Sequence, residues 1–114
     1  MLLRFAALSV VLTPLLPAVA QRADGTVSPQ ARPYMLSMPR PEYPEAARVK
    51  RIGGRGLYEL IFDLKTGRVS RVIVIQSTGS KILDDAAISA FSRWRARPGQ
   101  ISRVRNPLNF IPPW

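Results

Sequence analysis

An apolar-rich run begins at residue 57. Leu57-Tyr58-Glu59-Leu60-Ile61-Phe62 reads as a strand over residues 56–63, with Tyr58, Leu60 and Phe62 on one face at period two. Lys65-Thr66-Gly67 is a turn, and residues 69–77 form a second strand rich in Val and Ile, so the two make a hairpin. The period then lengthens. Leu83, Ala87, Ala90, Phe91 and Trp94 fall on one face of a helix over residues 83–94, which Pro98-Gly99 stops. Asp84 and Asp85 lie in its first turn, Arg93 and Arg95 in its last, as the helix dipole favours. Residues 104–111 form one more strand, with Leu108 and Phe110 on one face. Pro107 has no N–H to donate, which places this strand at a sheet edge.

Upstream, Pro39-Arg40-Pro41-Glu42-Tyr43-Pro44 is extended, because a residue before proline avoids the α region. Pro44 opens a short helix over residues 45–50, closed by Gly53-Gly54. Residues 21–38 have no hydrophobic period and read as a flexible lead-in. The order helix, strand, strand, helix, strand predicts an α+β two-layer sandwich: a three-stranded antiparallel sheet with two helices on one face. Tyr58, Leu60, Phe62, Val72 and Val74 would face the helices. Leu57, Ile61, Ile73 and Ile75 would then point away, an apolar face for a homodimer or a hydrophobic partner. The alternative is that Tyr34, Met35 and Leu36 fold back over it.

Composition narrows the function. The 114 residues include neither Cys nor His. That excludes disulfides, thiolate metal sites, a Ser-His-Asp arrangement and the usual general base near neutral pH, so no enzyme, cofactor or metal is expected. Residues 1–20 carry Arg4, an apolar run and Ala18-Val19-Ala20, the pattern of a cleaved signal peptide, which implies a periplasmic protein beginning at Gln21. An uncleaved inner-membrane anchor facing the periplasm is the alternative. Seventeen Lys and Arg against seven Asp and Glu give a net charge of +10. For an exported chain this favours anionic cell-wall polymer, lipid surface or an acidic protein over nucleic acid, and solubility alone also accounts for it.

Taken in order, these pieces resemble the C-terminal domain of TonB-type energy transducers: Pro41-Glu42-Tyr43-Pro44 with Ala46-Ala47, Gly56, Phe62-Asp63, Thr66-Gly67-Arg68-Val69, Leu83-Asp84 with Ala86-Ala87, and Trp94-Arg95-Ala96-Arg97-Pro98-Gly99. The resemblance spans residues 39–111 and sets the domain at residues 39–114. It implies binding to outer-membrane receptors, whose extended TonB box adds as a strand to the sheet edge. The residues it points to are Arg40, Pro41, Glu42, Tyr43 and Pro44, with Arg105, Asn106, Leu108, Asn109 and Phe110 of the last strand. The family's long Pro-rich spacer and the His of its anchor have no match here.

Each singled-out residue also has a plainer reading. Tyr43-Pro44 could contact a receptor or hinge the first helix. Trp94 completes an apolar face and reads as core. Asp84 and Asp85 point about 100° apart on a helix, so they do not form a catalytic pair. Arg93, Arg95 and Arg97 could meet an acidic partner or be solvated charge. Gly53-Gly54-Arg55-Gly56 precedes a strand rather than a helix and is not a phosphate loop.

Overall fold

The computed structural model describes residues 22–25 and 27–112. The expected signal peptide over residues 1–20 lies outside them. The expected hairpin is present as β3 (Gly54–Phe62) and β4 (Val69–Gln76), and the last strand as β6 (Arg103–Ile111). The helices are α1 (Glu45–Val49) and α2 (Lys81–Phe91). The expected α+β fold holds, with β6, β3 and β4 as neighbours in an antiparallel sheet. The fold has three further short strands: β1 (Arg22–Gly25), β2 (Met35–Ser37) and β5 (Arg95–Ala96). The main sheet runs β1-β6-β3-β4, and β2 pairs with β5 in a ribbon of its own.

Local chemistry sets the helix ends. Ser80 has extended backbone at the start of α2, and its Oγ accepts from the Leu83 N–H at 3.4 Å. α1 ends in a Schellman pattern: the N–H of Ile52 donates to Ala47 O at 2.8 Å and that of Arg51 to Arg48 O at 3.1 Å, with Arg51 at φ 58°. Arg51 therefore takes the left-handed turn expected of Gly53-Gly54, which lie further on where the chain enters β3. α2 closes at Phe91, three residues before Trp94 and well before Pro98. Its continuation is taken by β5, whose residues pair with Met35 and Ser37. Arg93 and Arg95 consequently lie past the helix.

The core sits between the sheet and the helices. Tyr58, Leu60 and Phe62 of β3 and Val104, Leu108 and Phe110 of β6 meet Ala47, Leu83, Ala87 and Phe91. Val72 packs against this cluster, while Val74 is exposed because β4 is the sheet's outer strand.

Three expectations need correction. The lead-in over residues 21–38, read as flexible, forms in its described part β1, a 3-10 turn (Arg32–Tyr34) and β2. They are held because Val27 and Ala31 are buried in the same core. Second, β6 is not an edge strand throughout, since β1 pairs with it from Leu108 to Ile111. Pro107 is tolerated where that pairing stops. Its carbonyl points to the β1 side, as the closeness of Gly25 shows, so its nitrogen does too and the β3 ladder loses no donor. Third, the sheet's other face is mixed rather than apolar. Glu59 alternates with Leu57 and Ile61, is 6% exposed, and lies 3.5 Å from both Arg103 Nη1 and Arg105 Nε. Leu57, Ile61 and Ile73 are half-buried, and Ile75 is exposed. The lead-in does not cover this face, because Val27 and Ala31 join the helix-side core and leave Tyr34 and Leu36 exposed.

Candidate functional site

The two segments that the resemblance singled out meet around one cavity. The Trp94 indole N–H donates to Pro39 O at 3.0 Å and anchors the proline-rich segment beside α2. Tyr43 stands edge-on to Phe110 with ring centroids 5.6 Å apart, and its hydroxyl donates to Ile52 O at 2.5 Å. Tyr43 is thus the hinge between the proline segment, the end of α1 and β6. Below it, Arg40 and Pro41 share a cavity of about 220 Å³ with Asn106 and Leu108. Asn106 is 2% exposed. Its Nδ2 donates to Pro107 O at 3.3 Å, and its Oδ1 has no partner among the described residues.

The remaining expected residues lie elsewhere. Glu42 and Pro44 line a separate groove with Ala86, Ser89 and Arg93. Arg105 is on the opposite face of the sheet, held by Glu59. Asn109 is half-buried between Arg55 of β3 and Asp24 of β1.

Sequence reasoning missed the cavity's other wall. Gly25, Val27 and Arg32 of the lead-in line it, with Met38, Phe91 and Trp94. A signal was present: Val27, Ala31 and Met35 recur every four residues, and all three pack on the core.

The edge beside this cavity has two halves. β1 pairs antiparallel with β6 through Arg22↔Ile111, Ala23↔Phe110, Asp24↔Asn109 and Gly25↔Leu108. From Arg103 to Pro107, no strand among the described residues pairs with β6 on that side. This half borders an open groove of about 440 Å³ whose far wall includes Ser28, Ala31 and Tyr34. The backbone N–H and C=O groups of alternate residues there face outward, which is what an incoming strand uses.

The titrating groups serve the fold. Asp84 accepts from the Tyr58 hydroxyl at 2.8 Å, the Thr78 N–H at 3.0 Å and the Ser77 hydroxyl. Burial works against its ionisation, but these hydrogen bonds outweigh it and hold the carboxyl below its ordinary value. Burial first, and then Asp84, push the Tyr58 phenol up. Asp85 instead pairs with Lys81 at 2.9 Å, so the adjacent carboxylates point to different partners, as the helical spacing predicts. Among the described residues, no cluster of three or more His, Cys, Asp and Glu could hold a metal. No helix among them is long and apolar enough to cross a membrane.

Comparison with known proteins places this geometry. The Protein TonB of Vibrio cholerae serotype O1 is 30% identical over 76 residues, 61% of this chain and 31% of the relative, so the chain spans less than a third of that protein's length. The solution NMR structure of the Pseudomonas aeruginosa TonB CTD superposes with a TM-score of 0.56 at 27% identity, covering 67% of this chain and 82% of that one. The sequence model of the Gram-negative bacterial TonB protein C-terminal family matches residues 39–112. Fold, residue pattern and family match agree, and the chain belongs to the TonB C-terminal domain family.

Proposed function

We propose that this domain works on the periplasmic side of the envelope, in energy-dependent transport. There it binds an extended segment of an outer-membrane receptor by adding it as a strand to the sheet. The observation that carries this reading is the outer edge of β6, where β1 leaves Arg103–Pro107 uncovered beside an open groove. Backbone hydrogen bonds supply the grip, and the groove receives side chains of the incoming strand. The chain reaches the periplasm by a cleaved signal peptide, or stays anchored in the inner membrane by residues 1–20.

Disulfide trapping tests this, because the chain has no cysteine of its own. Arg105→Cys sits on β6, and Arg71→Cys on β4 at the opposite side of the sheet. In cells whose outer-membrane receptor carries single cysteines scanned along its extended periplasmic segment, an added oxidant should join the Arg105→Cys thiol to one of them in a disulfide, identified by mass spectrometry. Trapping through Arg71→Cys alone would move the interface to β4 and overturn the assignment.

A second reading, contact with anionic cell-wall polymer, is favoured by one groove. Arg68, Arg93 and Arg95 line it with Trp94 and Val69, and none has a carboxylate partner among the described residues. Under this reading, salt-sensitive sedimentation with purified wall material is lost in an Arg68→Glu, Arg95→Glu chain.

A further inference from the structure

The chain's own amino-terminal strand sits on half of the edge that the strand-addition reading assigns to a partner. β1 and β6 pair over four residues, from Gly25↔Leu108 to Arg22↔Ile111, whereas β3 and β6 pair over eight. The fit is close at one end. A Cβ on Gly25 would lie 2.8 Å from Pro107 O, 3.2 Å from Asn106 Nδ2 and 3.3 Å from Leu108 Cδ1, so that position takes glycine. Beyond it, Pro107 offers the edge a carbonyl but no donor, and β1 goes no further.

Two observations make this strand exchangeable. Asn106, beside Gly25, is buried with Oδ1 unpartnered, an arrangement that disfavours the closed state. The lead-in also spans a cavity of about 220 Å³ above Phe91 and Trp94 instead of packing onto them. The lead-in is anchored at Val27 and Ala31, which are in the core, and β1 lies outside that anchor.

We infer that β1 is a resident strand, and that an extended partner segment gains the full edge of β6 by exchanging with it. This rests on the strand-addition reading and adds a control to it: the free domain holds half its edge closed in cis. A partner strand entering in the register of β1 carries glycine where it faces Leu108.

The probe is a fluorescent peptide of residues 21–27, Gln21-Arg22-Ala23-Asp24-Gly25-Thr26-Val27, added in trans. Two variants of the full chain bias β1 in opposite directions. Gly25→Val opens it. Asp24→Cys with Asn109→Cys, which are cross-strand partners, locks it when oxidised. Fluorescence polarisation should show the peptide binding Gly25→Val at least about tenfold tighter than wild type, because the competent state is no longer a minor one. The amides of Asn109 and Ile111, which face β1, should exchange faster in that variant and slow again with peptide. The oxidised double-cysteine chain should bind no peptide, and reduction should restore binding.

Equal binding to wild type and Gly25→Val, or binding unchanged by the lock, overturns the exchange and leaves strand addition standing. Faster exchange at Asn109 and Ile111 with no peptide binding shows that the edge accepts no strand, and overturns both. If Gly25→Val does not fold, the oxidised and reduced forms of the double-cysteine chain decide alone. At least about tenfold tighter binding when reduced supports the exchange, and equal binding overturns it.

Discussion

Asp84 joins three parts of the chain through one carboxylate: β3 through Tyr58, the loop after β4 through Ser77 and Thr78, and α2 on which it sits. Its folded-state pKa is lowered, so its contribution to stability is present above the unfolded value and lost as pH falls through the folded one. Thermal unfolding followed from pH 7 downward should show stability falling below about pH 5, where carboxylates of ordinary pKa begin to protonate. Asp84→Asn should flatten that fall; an unchanged profile would assign acid sensitivity to other groups. At neutral pH, Asp84→Ala should cost about 1–3 kcal/mol, because it strands the fully buried Tyr58 hydroxyl. Trp94 is the other key residue. It stacks edge-on against Phe91 at 5.1 Å and holds Pro39 through its indole N–H. Trp94→Ala should cost about 3–5 kcal/mol in denaturant unfolding. Trp94→Phe should cost less and chiefly free the proline-rich segment, seen as faster exchange of its amides. The core role of Trp94 was legible from helical spacing, although the residue lies past the helix end. Its bond to Pro39 spans 55 residues and has no local signal.

The hairpin was fully legible because its signals are local: alternation, β-branched residues and a turn glycine. The β2–β5 ribbon was not, since Met35–Ser37 and Arg95–Ala96 are short and find each other only in the folded chain. That ribbon gives Gly67 a second duty. Gly67 has φ 78°, and its carbonyl accepts from the Ala96 N–H at 2.7 Å, so β5 crosses directly over the turn. A Cβ there would lie 1.9 Å from Ala96 O. Gly67→Ala should therefore cost more than the roughly 1 kcal/mol of a left-handed alanine alone, and should loosen β5 as well as the turn. Exchange that stays slow at Ala96 would refute the second effect. The same crossing sets Arg68 directly opposite Arg95. Like charges in that position repel, so Arg95→Glu should raise stability by about 0.2–1 kcal/mol at low ionic strength, with the gain fading as salt is added.

Across the whole molecule, seventeen cationic side chains face seven carboxylates, and repulsion opposes compaction. The melting temperature should accordingly rise as sodium chloride is increased toward about 0.5 M, where the Debye length falls below about 5 Å. A fall would mean that ion pairs such as those of Glu59 outweigh the net charge.

Taken alone, the sequence determined the elements whose signals repeat within a few residues: the hairpin, the apolar stripe of α2, the last strand and the α+β class. It also carried the ordered motifs of the family. Tertiary structure decided which edges are open. Strand order depends on contacts between residues far apart in the chain, such as Gly25 with Leu108 and Arg68 with Arg95, and no local period encodes them. Burial of Val27 and Ala31 ordered a segment whose apolar signal, the four-residue recurrence of Val27, Ala31 and Met35, does not say what the segment packs against, and that burial brings β1 to the edge of β6. The candidate site was legible as two stretches of residues. Its partial occupation by the same chain appears only once the fold brings residue 25 to residue 108.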